Sequence, residues 1–405
     1  MTDILEGIKV VSMGQMVATP AATSWLSDMG ADVIKIEPLA GETFRGATRA
    51  QGTTTTTKIS GVDVKYGFQL VNRGKKSLAL DLKKEAGRDI VYKLVKGADV
   101  FTSNYMAESL SKLKLDYATL SEINPRLIYA FLSGFGVEGP DKNMGGYDWV
   151  ASWARSGMQY LISEPGRAPA EQRPGQGDTV GAAHSVVGIL AALLHREKTG
   201  KGQEVESSLY QSAVWTLSFD TQGALAGTPR TNRDRTKAQN PISNRYRTKD
   251  DRWLSLGMFL ADAYWANFCK SIERPELEND PRFNNMRVRG ENSEELVCIL
   301  DEVFATRTAD EWDAAWKGYG FIYARAQSPE EVISDPQALA NDFFVELHHP
   351  AGPMKTVASP VTFRQNPASV KAAAPELGQN NEEILLELGY DWSDIAQLKE
   401  EQVIL

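Results

Sequence analysis

Residues 8–37 read IKVVSMGQMVATPAATSWLSDMGADVIKIE. Residues 8–12 (IKVVS) are a short apolar run suited to a buried strand, residues 20–29 are helix-like, Gly30 punctuates, and residues 32–37 (DVIKIE) return to strand character. Strand, helix and strand in succession make a β-α-β unit, and such units favour a parallel sheet covered by helices. The first turn, residues 14–20 (GQMVATP), lacks the G-x-G-x-x-G pattern, so the topology gives little support to a dinucleotide site.

Outward from this unit the alternation continues. Residues 77–82 (SLALDL), 99–102 (DVFT) and 127–132 (LIYAFL) have strand character, and residues 85–96 form an amphipathic helix. The five threonines at 53–57 read as a solvated loop or disordered tip. Residues 134–140 (GFGVEGP) are turn-rich and follow a strand, which makes them a candidate site wall, because ligands of open α/β sheets collect at the carboxyl ends of strands. Beyond Asp178, Val180, Ala183, Val187, Leu190, Ala191 and Leu194 recur at helical spacing until residues 199–202 (TGKG) end the run. Residues 203–209 begin the next strand or helix, and residues 227–240 are polar enough to read as a linker or mobile loop. A second α/β region follows, with a strand at 252–258, helices to about Gly320 and a core rich in Trp and Phe. Residues 357–405 return to a strand, a Pro-rich stretch and two helices.

The 405 residues suffice for two or three domains. A net charge of -9 argues against general nucleic-acid binding but leaves room for a local basic pocket. Two cysteines, Cys269 and Cys298, fit a reducing compartment. Residues 1–7 carry Asp3 and Glu6 without a basic start, and the apolar run at 186–194 is too short to span a bilayer; a soluble, cytoplasmic protein is expected, with no membrane partner.

Three constellations could carry chemistry. Asp178 directly precedes the long apolar helix, so it is expected as its N-cap. The same place would hold a carboxylate as the anion, ready to act as a nucleophile, with free N–H groups to spare for an oxyanion. Arg73, Lys75 and Lys76 form a basic cluster, read either as a solvated turn or as partners for the phosphates of a nucleotide-like cofactor; Lys112 and Lys114, after Asn104 and Tyr105, invite the same two readings. Tyr147, Asp148, Trp149 and Trp153 with Arg155 form either an aromatic core face or a pocket wall whose arginine grips a carboxylate. His348 and His349 are adjacent, while His184 and His195 are eleven residues apart, so no metal site is expected. No G-x-S-x-G elbow occurs, which disfavours a serine hydrolase.

Taken together, LEGIKVVSMGQMVATPAAT, GADVIKIEPLAGETFRG, NRGKKSLALDL, ADVFTSNY, SGFGVEGPD, GDTVGAAHSVVGILAALLHREKTGKGQEVESSL and APELGQNNEEILLELGY resemble the class III CoA-transferase family from end to end. The resemblance implies a large Rossmann-like domain built from both ends of the chain (1–226 and 329–405), a smaller α/β domain (227–328), and two subunits threaded through each other as linked rings. It implies Asp178 as the catalytic carboxylate, passing through an aspartyl anhydride and an aspartyl-CoA thioester. Family CoA contacts map onto Met16, Val17, Lys75, Asn104, Tyr105 and Lys112, with Arg73 and Lys76 beside them. Coenzyme A enters as a substrate, and succinyl-CoA is the expected donor.

Val17 stands where the formyl-CoA branch has glutamine, and Pro38 where it has arginine, which argues against formyl or oxalate substrates. The stretch GPDKNMGGYDWVASWARSG is similar to relatives that handle aryl-substituted acids, so a benzylsuccinate-like acceptor is expected, with Tyr147, Trp149, Trp153 and Arg155 as its pocket. Two alternatives stay open. One is an α-methylacyl-CoA racemase or isomerase; its histidine would fall where this chain has Tyr147, and a phenol of pKa near 10 is a poor base. The other is a non-catalytic subunit of a heteromeric transferase, against which the presence of Asp178 argues.

Overall fold

The computed structural model describes residues 3–50, 52–164, 166–228 and 234–405; part of the expected linker at 227–240 and the first two residues of the chain lie outside the described residues. The chain divides into two compact units, one made of residues 1–162, 169–230 and 339–405, the other of 163–168 and 231–338.

In the first unit the β-α-β opening is β1 (Lys9–Met13), α1 (Ala18–Asp28) and β2 (Asp32–Glu37). Pro20 falls in the first turn of α1, where its missing N–H has no partner to lose. Then come β3 (Lys76–Ala79), α2 (Glu85–Lys96), β4 (Val100–Ser103), β5 (Ile128–Ser133), α3 (Gln176–Thr199), β6 (Gln203–Ser208) and α4 (Leu209–Thr216). The six strands lie in the order β3-β2-β1-β4-β5-β6 and all pair in parallel. That is the doubly wound order, whose direction reverses between β1 and β4.

Successive strand residues point to opposite faces, so the sheet has two cores. Val10, Val33, Val100 and Ile128 meet Ala22 and Leu26 of α1 and Ala182, Val186 and Ile189 of α3 on one face. Val11, Ile36, Leu78 and Phe101 meet Ile90, Val91 and Leu94 of α2 on the other, together with Ile384, Leu385 and Ile395 from the end of the chain. By length and composition α3 is long and apolar enough to cross a bilayer; here it packs on α1, β5, β6 and α4.

The last residues close the free edge of the sheet. The N–H groups of Ser77 and Ala79 donate to Asn380 Oδ1 at 3.0 Å and Asn381 Oδ1 at 2.9 Å. Leu80 bridges to Ile404, and Asp81 donates its N–H to the Val403 carbonyl at 2.8 Å.

The threonine run is not a plain loop. Thr53–Thr54 pairs with Arg49–Ala50, Thr57–Ile59 pairs with Val62–Val64, and Thr55, buried between them, donates to the Ala47 carbonyl at 3.1 Å. β-branched residues favour such pleated pairing, which a compositional reading misses.

In the second unit a three-stranded antiparallel sheet (Arg245–Arg247, Trp253–Leu256, Tyr323–Arg325) packs against helices over an aromatic core of Tyr246, Phe268, Phe304, Trp312 and Trp316. The described part of the expected linker is ordered here: Asp234 caps the turn Arg235–Lys237, and Arg235 pairs with Asp301.

Candidate active site

The direction of the sheet reverses between β1 and β4, and the turns leaving both strands meet there. Asn104 binds the backbone of Gln15 twice, accepting its N–H at 2.9 Å and donating to its carbonyl at 2.9 Å. Ser103 Oγ donates to the Met13 carbonyl at 3.0 Å and accepts the Tyr105 N–H at 3.1 Å. Met16 adopts a left-handed backbone, φ 60°, uncommon for a side chain of its size. A buried acid holds it: Glu42 Oε2 accepts the Met16 N–H at 2.8 Å while Oε1 takes Lys35 Nζ at 2.8 Å. The turn carrying Met16 and Val17 is thus joined to the turn carrying Asn104 and Tyr105.

The N-terminal end of α3, which carries Asp178 in its first turn, lies beside Val17. Gly175 caps α3 in a left-handed conformation, φ 72°, and a methyl placed on it would lie 3.6 Å from Val17 Cγ1. Gly177 is required by close approach: a Cβ there would meet Ser152 Oγ at 2.2 Å and Asp148 Cβ at 3.2 Å.

The expectation that Asp178 caps α3 is corrected. It lies in the first turn, three residues inside the helix. Asp148 lies beside this helix end: its carboxyl accepts from Gln172 Nε2 at 3.2 Å, and its side chain packs against Gly177. The expected stabilisation of Asp178 as an anion is corrected with it. Burial first, and the neighbouring Asp148 second, push the Asp178 carboxyl up to about 8. The side chain keeps a solvent-facing side but is closely surrounded by protein.

A raised carboxyl favours its neutral form in the fold, so its contribution to stability is full below the unfolded value near 3.8 and is lost as pH rises through the folded value. Asp178→Asn is therefore expected to raise the melting temperature by an amount that is nil at pH 4 and grows toward pH 8. Thermal melts across that range check it, and a gain independent of pH would contradict the assignment.

The basic cluster is divided among separate partners. Arg73 pairs with Asp28 at 2.7 Å and donates to Thr356 and Val357. Lys75 is buried, with its three donors on the carbonyls of Pro20 and Val71 and on Asn72 Oδ1; burial lowers its pKa well below the usual lysine range. Lys76 reaches Glu383 at 2.9 Å. The three cations enter three separate environments, and none of them forms a free phosphate cradle. Lys112 stays exposed, paired with Glu108 at 2.7 Å on its own helix.

The aromatic group divides in the same way. Trp149–Ala154 is a stretch of π-helix, a geometry frequent at functional sites. Trp153 is buried, donates to the Ala170 carbonyl at 2.9 Å, and lines a small cavity with Ser152, Met158, Gln172, Gly177 and Val180. Tyr147 and Trp149 are 66% and 52% exposed, so within this chain they wall no pocket. Arg155 pairs with Asp141 at 2.7 Å, its guanidinium near the Phe135 and Tyr210 rings. Sequence reasoning missed Gln172, Lys35 and Glu42, and named Asp148 only as a member of the aromatic constellation. The signal for Asp148 was present in GGYDW but was absorbed into its aromatic neighbours.

The model of CoA-transferase family III matches residues 5–381. The chain is 33% identical over 402 residues to (R)-2-hydroxy-4-methylpentanoate CoA-transferase of Clostridioides difficile, covering 99% of both chains. It is 31% identical over 414 residues to cinnamoyl-CoA:phenyllactate CoA-transferase of Clostridium sporogenes, covering 100% of this chain and 98% of that one. A solved structure, a CAIB/BAIF family protein from Brucella suis, superposes with TM-score 0.83 at 28% identity, over 96% of this chain and 100% of that one.

Proposed function

The chain belongs to CoA-transferase family III, and from that premise we propose that it moves coenzyme A from an acyl-CoA to a carboxylic acid through covalent intermediates on Asp178. The observation that carries the reading is the placement of Asp178. Among the described residues no donor is recorded on its carboxyl oxygens, and Gly175 of the same helix turn stands against Val17 of the first turn. A carboxyl without partners has its lone pairs available to a thioester carbonyl.

The Asp178 oxygen attacks the acyl carbon, and the C–S bond breaks with its electron pair leaving on sulfur as the CoA thiolate. The thiolate attacks the aspartyl carbonyl of the anhydride, and the donor acid leaves as a carboxylate. The acceptor carboxylate then attacks the aspartyl thioester, and the two steps run in reverse. Met16, Val17, Asn104 and Tyr105 line the route for the thioester arm.

Succinyl-CoA is the proposed donor and a substituted acid of the benzylsuccinate, phenyllactate or 2-hydroxyisocaproate type the proposed acceptor. Relatives named for a hydroxylated branched acid and for phenyllactate support that class. The test is incubation with succinyl-CoA or acetyl-CoA and each acid, reading product thioesters by mass, with hydroxylamine or borohydride trapping on the Asp178 peptide. Thioester transfer with an adduct on Asp178 is expected; α-proton exchange without an acceptor would favour the racemase instead.

The working form is proposed to contain two copies of this chain in the cytoplasm. Support comes from apolar surface left open in the first unit: Val187 and Leu194 on α3, with Trp215, Phe219 and Leu225 nearby in sequence, are all more than 60% exposed. Light scattering is expected to give twice the single-chain mass. Trp215→Asp is expected to weaken the association by about 2 kcal/mol or more, and a monomeric wild type would contradict the proposal.

A further inference from the structure

Several cations around the first turn are engaged by acids of this chain. Lys35 is held by Glu42 at 2.8 Å, Arg45 grips Glu37 with two nitrogens at 2.6 and 2.7 Å, and Arg73 takes Asp28 at 2.7 Å. Arg173 is different. It is exposed, and among the described residues its recorded side-chain partner is the neutral hydroxyl of Thr53, at a long 3.4 Å. A guanidinium carries five N–H donors in a planar fork, so most of its donor capacity is open to a ligand.

Two sets of contacts place this arginine. Its carbonyl accepts the Gln176 N–H at 3.4 Å, which puts it in the turn leading into α3, five positions before Asp178. Gly175 lies between them, and a methyl placed there would stand 3.6 Å from Val17. From the other side, Thr53 belongs to the hairpin tied back to Ala47, whose carbonyl accepts from Thr55 at 3.1 Å. Ala47, Met16 and Val17 pack on one apolar cluster of Phe44, Phe68 and Val71. Both routes therefore lead to the turn of Met16 and Val17. Arg49, opposite Thr54 on the same hairpin, is exposed as well, with no acidic partner recorded among the described residues. In a chain of net charge -9, two unpaired arginines on one rim make a local positive field.

We propose that Arg173 receives the second, non-reacting carboxylate of a dicarboxylic acyl group and so makes the protein select succinyl-CoA over monocarboxylic thioesters. This rests on the reading of Asp178 as the acyl-carrying carboxylate.

The chemistry of the transfer decides which carboxylate is gripped. The one that forms and leaves the anhydride has to keep an oxygen free for attack, and a bidentate fork would hold both of its oxygens. The carboxylate at the far end of the acyl group takes no part in bond making, so a fork there orients the acid without blocking the reaction. A phosphate of coenzyme A would suit the same charge. The two sources separate cleanly: a phosphate contact acts on every acyl-CoA alike, and a distal-carboxylate contact acts on succinyl-CoA alone.

Arg173→Gln removes the charge at an exposed position. The probes are succinyl-CoA and butyryl-CoA, which has the same chain length and a methyl in place of the second carboxylate. The kcat/KM for succinyl-CoA is expected to fall about 10- to 100-fold, the size of a lost charged hydrogen bond, while that for butyryl-CoA stays within about twofold. An equal fall with both thioesters would assign the arginine to the coenzyme's phosphates, and no fall with either would leave it without a substrate role. Each of these overturns the inference and leaves the function reading standing. If wild type moves CoA from neither thioester and forms no adduct on Asp178, the function reading fails and this inference with it. Should the variant not fold, wild type decides: a preference for succinyl-CoA over butyryl-CoA of about tenfold or more supports the inference, and anything smaller overturns it.

Discussion

Asp178→Asn is expected to lower thioester transfer by about 10^4-fold or more while the protein stays folded. The amide has nearly the same volume as the carboxyl but no anionic oxygen, so neither the anhydride nor the thioester can form. Residual turnover would have to come from direct attack of the acceptor on the bound thioester, assisted only by proximity. Because the acid is held above its ordinary range by burial and by Asp148, the inactive variant should also be the more stable protein at neutral pH. Active sites often show this opposition between stability and function. The measurement is transfer rate alongside a thermal melt of the same sample. Activity within tenfold of wild type would mean that Asp178 does not carry the acyl group.

Glu42→Ala is expected to cost about 3–5 kcal/mol, a large part of the 5–15 kcal/mol that holds a typical domain. Lys35 and Glu42 have side-chain exposures of 0% and 1% and stand 2.8 Å apart. Removing the acid leaves the Lys35 ammonium in the interior with the Gly14 carbonyl, 2.9 Å away, as its remaining recorded partner. It also strips the acceptor from the Met16 N–H, so a left-handed turn loses its anchor. Urea unfolding is the measure: the midpoint should fall with the slope unchanged. The Michaelis constant for acyl-CoA should rise in protein that still folds, since Met16 and Val17 of that turn are proposed coenzyme A contacts. A double change, Lys35→Met with Glu42→Leu, should recover much of the stability and little of the affinity, because it removes the stranded charge but not the turn's need for an acceptor. A loss below about 1 kcal/mol for Glu42→Ala would show that the pair is not holding this corner.

The large sheet was legible because its strands are buried on both faces and read as short apolar runs. DVIKIE at 32–37 and the helix at 85–96 fall at the residues expected. Asp178 was legible as the residue that introduces a long helix. What it does there was not, since its burial and its neighbour Asp148 come from tertiary packing that sets Gly177 against Ser152 and Asp148.

The basic cluster is dispersed for a related reason. Arg73, Lys75 and Lys76 are neighbours in sequence, but Gly74 turns the chain with φ 73° and β3 begins at Lys76, so their side chains part. Buried cations such as Lys35 and Lys75 run against the usual preference of lysine for the surface and have no signature in composition. In the second unit the strand expected at 252–258 is present as Trp253–Leu256, while its two three-residue neighbours are too short to show alternation.

The cap that Asn380 and Asn381 place on β3 has a consequence for biosynthesis. Ser77 and Asn380 are 303 residues apart, so at elongation rates of about 5–20 residues per second the nascent chain waits roughly 15–60 s before the strand receives its cover. Throughout that interval an apolar, hydrogen-bond-hungry ribbon protrudes from the polysome, and a ribosome-associated chaperone is the natural company for it.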